Sequence, residues 1–83
     1  MEQQIRSILE TSAHLGVPVQ GLDANSDLFA LGLSSLATVD VMLAIENAFD
    51  VEFSDEYLCR KTFRSIASLT SVVAQLKRQQ AVP

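Results

Sequence analysis

Ser35 stands in the run Asp27-Leu28-Phe29-Ala30-Leu31-Gly32-Leu33-Ser34-Ser35-Leu36, where a glycine-containing turn leads into an apolar stretch of helical period. A serine in the first turn of a helix has chemistry that a serine elsewhere lacks. The first N–H groups of a helix find no partner within it, and the macrodipole puts its positive end there. An oxygen at that place can carry a phosphate at low energetic cost. The chain offers little other reactive chemistry. Gly32-Leu33-Ser34-Ser35-Leu36 lacks the second glycine of a nucleophile elbow. The single histidine, His14, falls on a predicted helix surface, with no strand framework to build a triad. The single cysteine, Cys59, cannot form an internal disulfide and reads as a small buried hydrophobe. Asp23-Ala24-Asn25-Ser26-Asp27 imitates the opening of a calcium loop, but Leu28 stands where that loop needs glycine and Ser34 where it needs glutamate. One Cys and one His make no zinc-ligand set. The residues therefore predict neither a catalytic group nor a metal site.

The elements that must position Ser35 follow from hydrophobic period. Ile5, Ile8, Leu9 and Ser12, with Ala13 and Leu15, predict a helix over about residues 2–15, stopped by Gly16 and Val17-Pro18. Residues 16–33 predict a long loop anchored by Val17, Val19, Leu22, Leu28, Phe29, Leu31 and Leu33. Long loops inside compact domains are often functional. Ser34 can cap a second helix running to about Phe49. Asp50 to Phe53 connects, and Ser54-Asp55-Glu56 opens a short helix through Cys59. The last helix begins between Thr62 and Ser65 and carries Ile66, Leu69, Val72, Val73 and Leu76, with Lys77 and Arg78 suited to the dipole of its last turn. No strand pattern appears. The expectation is an all-α fold, a small bundle of three main helices plus one short helix, forming a single domain over residues 1–83.

The second helix has two apolar faces. At about 100° per residue, Ala37, Val41, Met42, Ala44, Ile45, Ala48 and Phe49 fill one wide sector, ample to face a core. Leu36, Val39 and Leu43 form a second, narrower stripe close to the direction of Ser35, bordered by Asp40, Asn47 and Glu46. Two readings fit this stripe. It is an exposed docking surface with acids at its rim, or the loop 16–33 folds over it.

Composition narrows the function class. The 83 residues leave no room for an enzyme-sized pocket beside the core, and 48% hydrophobic content is too high for a disordered tail. No apolar run reaches the roughly 20 residues of a membrane span, and the N-terminus has no signal-peptide pattern. A soluble cytoplasmic protein is expected. From Asp23 to Glu56 there are eight acids (Asp23, Asp27, Asp40, Glu46, Asp50, Glu52, Asp55, Glu56) and no Lys or Arg. This block either keeps a small apolar domain soluble or steers partners with basic surfaces. Arg60, Lys61 and Arg64 read as a solvated face balancing those acids, and a net charge of −4 argues against nucleic-acid binding.

The stretch D-L-F-x-L-G-L-S-S-L resembles the attachment site of acyl carrier proteins, and the similarity runs from about Ile5 to Leu76. The resemblance implies a carrier and not an enzyme. It implies 4'-phosphopantetheine, taken from coenzyme A by a phosphopantetheinyl transferase and joined to Ser35 through a phosphodiester. It implies partner contacts on Leu36, Val39, Asp40, Leu43 and Glu46, and a monomer that meets an ATP-dependent ligase and a downstream acyl-accepting enzyme. The family usually has Asp where Ser34 stands and frequently an acid at Ala37, and fatty-acid carriers tend to be acidic at Asn47 and Ala48. G-L-S-S, with Val51-Glu52-Phe53-Ser54-Asp55-Glu56 and Arg60-Lys61-Thr62-Phe63, is similar to a bacterial subgroup of aminoacyl carrier proteins. Those are charged with amino acids by ligases related to seryl-tRNA synthetase. The alternatives are a fatty-acid or polyketide carrier, or an unmodified helical adaptor that binds through the Leu36 stripe.

Overall fold

A computed structural model describes residues 1–81, and all regular elements among them are helical. Helix α1 spans Glu2–Ser12 and α2 spans Ser35–Phe49. A single 3₁₀ turn, Asp55–Tyr57, precedes the one-turn helix α3, Arg60–Phe63. Helix α4 spans Ile66–Ala81. Helix α1 packs on α2 and α4, and α3 packs on α4. Ile5 and Leu9 of α1, Val41 and Ile45 of α2, and Ile66, Leu69 and Val73 of α4 are fully buried together. Each such side chain contributes about 1.5–3 kcal/mol of transfer free energy. No helix among the described residues is long and apolar enough to cross a membrane.

Two boundaries differ from the periodic reading. Helix α1 stops at Ser12, not near residue 15: Ala13 caps it through an N–H bond to the Leu9 carbonyl, and His14 turns away in the left-handed region at φ 54°. His14 thus lies exposed beyond the helix and not on it. Ala13 is nonetheless buried and Leu15 half-buried, because the departing chain also feeds the core. The expected short helix through Cys59 is instead a 3₁₀ turn and a separate helical turn, divided by Leu58 and Cys59. Ser65 caps α4, its Oγ accepting the Ser68 N–H at 3.0 Å.

The chain between α1 and α2 has its own supports. Val19, Leu28 and Leu33 are buried, Leu22, Phe29 and Leu31 are half-buried, and Val17 is exposed, against the expectation that it anchors the loop. Arg6 reaches from α1 into this segment. Its Nη1 lies 2.8 Å from the Leu22 carbonyl and 3.0 Å from that of Val19, with Gln20 O at 3.4 Å. A second pair of links joins the segment to the start of α4: Leu28 N–H donates to Arg64 O at 2.7 Å, and Ala67 N–H to Ala24 O at 2.8 Å.

Arg6→Ala leaves part-buried carbonyls without their donor, so a loss of about 1–3 kcal/mol is expected. Thermal melting of Arg6→Ala beside Arg78→Ala, an exposed control, measures it. Equal melting temperatures in the two variants would remove the Arg6 staple as a source of stability.

Candidate functional site

The turn before α2 is fixed from the inside. Leu28 is fully buried, and its carbonyl accepts the N–H groups of Leu31 at 3.1 Å and Leu33 at 3.0 Å. Asp27 Oδ1 accepts the Phe29 N–H at 3.0 Å and the Ala30 N–H at 3.3 Å, and Asp23 Oδ1 accepts the Asn25 N–H at 2.8 Å, so both aspartates of the calcium-loop-like stretch serve local Asx turns. Gly32 sits at φ +111°, where a side chain would be strained. Leu33 then drops into the core, and the next residues emerge at the surface.

Ser34 and Ser35 divide two tasks. Ser34 is the N-cap, extended at φ −87° and ψ 162°, and its Oγ accepts the Ala37 N–H at 3.0 Å. Ser35 is the first residue of α2, exposed, with its hydroxyl in no hydrogen bond among the described residues. No acid stands in the first turn of α2, so no side chain there neutralises the positive end of the macrodipole.

Beside Ser35 opens a cleft of about 420 Å³. Val39 and Met42 of α2 line it, together with Leu58 and Phe63. Phe29 lies on the cleft as well, with the Arg60 guanidinium carbon 4.0 Å from its ring centroid. Phe63 is held by stacking on buried Phe53, centroids 5.7 Å apart. Sequence reasoning passed over Phe29, Leu58 and Arg60 as site residues. Their signal is spatial: the α3 segment folds back against the start of α2.

The stripe on α2 is open. Leu36 is 79% exposed, Leu43 54% and Val39 47%. The long loop does not cover it. Asp40 is exposed at its edge. Glu46 is half-buried, and its Oε2 accepts the Phe53 N–H at 2.9 Å, which ties the connection after α2 to the helix. On the opposite side Ala37, Val41 and Ile45 are buried, with Met42, Ala44 and Phe49 half-buried. Ala48, expected in the core sector, is exposed instead, at the edge of the last turn.

Cys59 also departs from expectation. It is exposed and not buried, lying in the break before α3 where no core element covers it. Its Sγ is 3.5 Å from Thr62 Oγ1. The Thr62 hydroxyl, then the Thr62 backbone N–H, hold the thiol below its ordinary pKa by hydrogen bonding to the thiolate. The basic cluster splits as well: Arg64 pairs with Asp27 at 3.5 Å, while Arg60 stacks on Phe29.

Comparison with known proteins decides the family. The family model for the phosphopantetheine attachment site matches residues 3–78. The chain belongs to the phosphopantetheine-attachment family of carrier proteins. It is 47% identical over 73 residues to the aminoacyl carrier protein of Agrobacterium fabrum, covering 88% of each chain. Among solved structures it matches a chain from the crystal structure of an engineered Bradyrhizobium japonicum glycine:[carrier protein] ligase complexed with carrier protein from Agrobacterium tumefaciens and AMP. That match has a TM-score of 0.86 and 46% identity, over 89% of this chain and 99% of the other. The solution structure of holo acyl carrier protein from Nitrosomonas europaea matches at a TM-score of 0.77 and 30% identity, over 94% and 95% of the two chains. Members of this family are carriers and not enzymes, and their prosthetic group is covalent 4'-phosphopantetheine. The structure of this carrier protein fits that group. It offers an unbonded serine hydroxyl at a helix start free of acids, beside an open and mainly apolar cleft.

Two outcomes follow for the site. Ile45→Ala should lower stability by about 2–5 kcal/mol, whereas Leu36→Ala and Leu43→Ala should stay within about 0.5 kcal/mol of wild type. Urea denaturation midpoints separate these, and equal losses would make the stripe part of the core. Thr62→Val removes the hydroxyl donor to the Cys59 thiolate, so the pH midpoint of Cys59 alkylation should rise. An unchanged midpoint would assign the depression to something other than Thr62.

Proposed function

We propose that Ser35 is the attachment residue and that residues 1–83 work as one carrier domain for a small amino acid, with glycine first among the candidates. When bound, 4'-phosphopantetheine supplies a terminal thiol that holds an acyl group as a thioester. The observation that carries the residue assignment is the contrast between the two serines. Ser34 Oγ is committed to the Ala37 N–H, whereas the Ser35 hydroxyl is exposed and unbonded. The cargo assignment is supported by the 47% identity to an aminoacyl carrier protein, and by the likeness to a carrier protein complexed with a glycine:[carrier protein] ligase.

Each part of the chain has a separate role in this reading. Ser34 holds the start of α2 rigid, so the anchor does not wander. Leu36, Val39 and Leu43 meet the apolar surface of a partner. Asp40 and the outer oxygen of Glu46 meet its cations. The partners are a phosphopantetheinyl transferase, an ATP-dependent aminoacyl ligase and a downstream acyl-accepting enzyme. They take the chain as a monomer in the cytoplasm, where coenzyme A and ATP are available. No nucleic acid or membrane partner is invoked. The chain supplies no catalytic group; it keeps the loaded arm at high effective concentration near successive enzymes.

Incubation with coenzyme A and a phosphopantetheinyl transferase, followed by intact-mass measurement, tests the anchor. Ser35→Ala should stay unmodified, and Ser34→Ala should still accept the group; the reverse pattern reassigns the anchor to Ser34. Holo protein is then offered ATP, single amino acids and a seryl-tRNA-synthetase-like ligase from the same genome. A hydroxylamine-labile amino acid adduct is expected. Failure with every amino acid, together with efficient fatty-acid charging by an acyl-carrier-protein synthetase, would move the chain to the fatty-acid or polyketide carriers.

A further inference from the structure

We propose that Arg60 is the counter-cation of the phosphodiester on Ser35, meeting it across the cleft that both residues line. The inference rests on Ser35 being the attachment residue. A phosphodiester brings a permanent negative charge to a part of the chain whose local positive field is the start of α2 and no basic side chain. From Asp23 to Glu56 there are eight acids and no Lys or Arg. A side-chain cation for it can come only from outside that stretch, and Arg60 is the one charged side chain lining the cleft beside Ser35.

The other cations of the described residues are engaged or elsewhere. Arg6 is bonded to Glu2 and to loop carbonyls. Arg64 pairs with Asp27. Lys77 donates to Phe49 O, and Arg78 to Gln75. Lys61 lines the neighbouring cleft, away from Ser35. Arg60 has no hydrogen bond or ion pair among the described residues; its partner is the face of Phe29. A guanidinium held over an aromatic ring keeps the N–H donors at its edge free, and that planar fork matches two non-bridging phosphate oxygens.

The platform and the anchor share one support. Asp27 Oδ1 holds the Phe29 N–H, and the same turn runs on through Gly32 and Leu33 to deliver Ser35. The turn that exposes the serine thus also sets the ring on which Arg60 rests. The start of α2 adds its dipole from the other side. Together they fix the root of the arm, so that its swing begins beyond the phosphate.

The test uses holo protein whose arm has been located on Ser35 by intact mass and by loss of modification in Ser35→Ala. An arm located elsewhere overturns the attachment reading and this inference with it. With the arm on Ser35, only the role of Arg60 is in question. Arg60→Met keeps an apolar stem over Phe29 and removes the charge; Arg60→Lys keeps the charge without the fork. Phosphorus NMR should give the wild-type phosphodiester a line resolved from that of Arg60→Met, with Arg60→Lys between them. The wild-type line should move toward the Arg60→Met position at about 1 M salt, where the Debye length falls to about 3 Å. In wild type the Arg60 Nε–H signal should move between apo and holo forms by more than that of Arg64. Coincident phosphorus lines in wild type and Arg60→Met overturn the proposal whatever the nitrogen signals do. Should Arg60→Met fail to fold, the wild-type apo-to-holo shift of Arg60 Nε–H decides in its place.

Discussion

The burial of Leu28 is the constraint on which the rest of this molecule turns. A connection running from Ser12 to Ser35 carries many backbone donors and acceptors, and a small domain has few places to satisfy them. Leu28 solves this locally. Its side chain enters the core, its N–H goes to Arg64 O, and its carbonyl takes the N–H groups of Leu31 and Leu33. With that residue fixed, its neighbours have little freedom. Phe29 is turned toward the α3 segment, Gly32 takes the positive φ that reverses the chain, and Ser35 comes out at the surface. The exposed serine is placed by an apolar residue seven positions earlier and not by any contact of its own.

Helix α2 is held more by its ends than by its length. Only Ala37, Val41 and Ile45 of its fifteen residues are buried. Leaving Leu36, Val39 and Leu43 in water forgoes burial that other helices of this bundle use for stability. The compensation lies at the termini and in the side links. Ser34 caps the start. Asp50, left-handed at φ 54°, closes the end, and Lys77 and Gln80 of α4 donate to the carbonyls of Phe49 and Asp50. Glu46 adds a bond to Phe53 N–H. The expectation that Lys77 serves the dipole of its own helix is thereby replaced by a bond to the end of α2. Capping and cross-links of this kind fix the direction of a helix while leaving one whole face uncovered.

The sequence made some of this legible and hid the rest for identifiable reasons. Gly32 before two serines and an apolar run is a local signal, and the start of α2 could be read from it. The two faces of α2 are a matter of angle within one helix, so the division between Ile45 and Leu43 was also readable. The end of α1 was not, because Ala13 and Leu15 keep the apolar spacing after the helix has stopped. Cys59 was misjudged because residue type predicts burial only on average, and this cysteine falls in a break between two short turns. Arg6, Glu46 and Arg60 act on partners 7 to 31 positions away in the chain. No periodic pattern encodes such pairings; they depend on the path of the loop, which Leu28 and its bonds determine.

A carrier has to be recognised by several enzymes and released by each. That requirement sets an upper limit on how sticky its surface can be. Three exposed aliphatic side chains on one helix, edged by acids, suit a small interface in the transient range below about 1,200 Å² of total buried area. A larger apolar patch would bind more tightly but would slow release, and affinity differences between related complexes lie mostly in the off-rate. The acids act earlier in the encounter. In the proposed role, the acidic block from Asp23 to Glu56 would speed approach to basic partner surfaces without adding much to the lifetime of the complex. A phosphodiester on the proposed anchor Ser35 would add one more negative charge to the same acidic stretch. The first turn of α2, with no acid in it, offers that charge a positive field. In the arrangement we propose, a cation brought in by the α3 segment, outside the acidic stretch, adds to that field while Asp40 stays exposed on α2. That arrangement gives the short and irregular segment between α2 and α4, whose Arg60 lies over Phe29, a role that one longer helix would not fill.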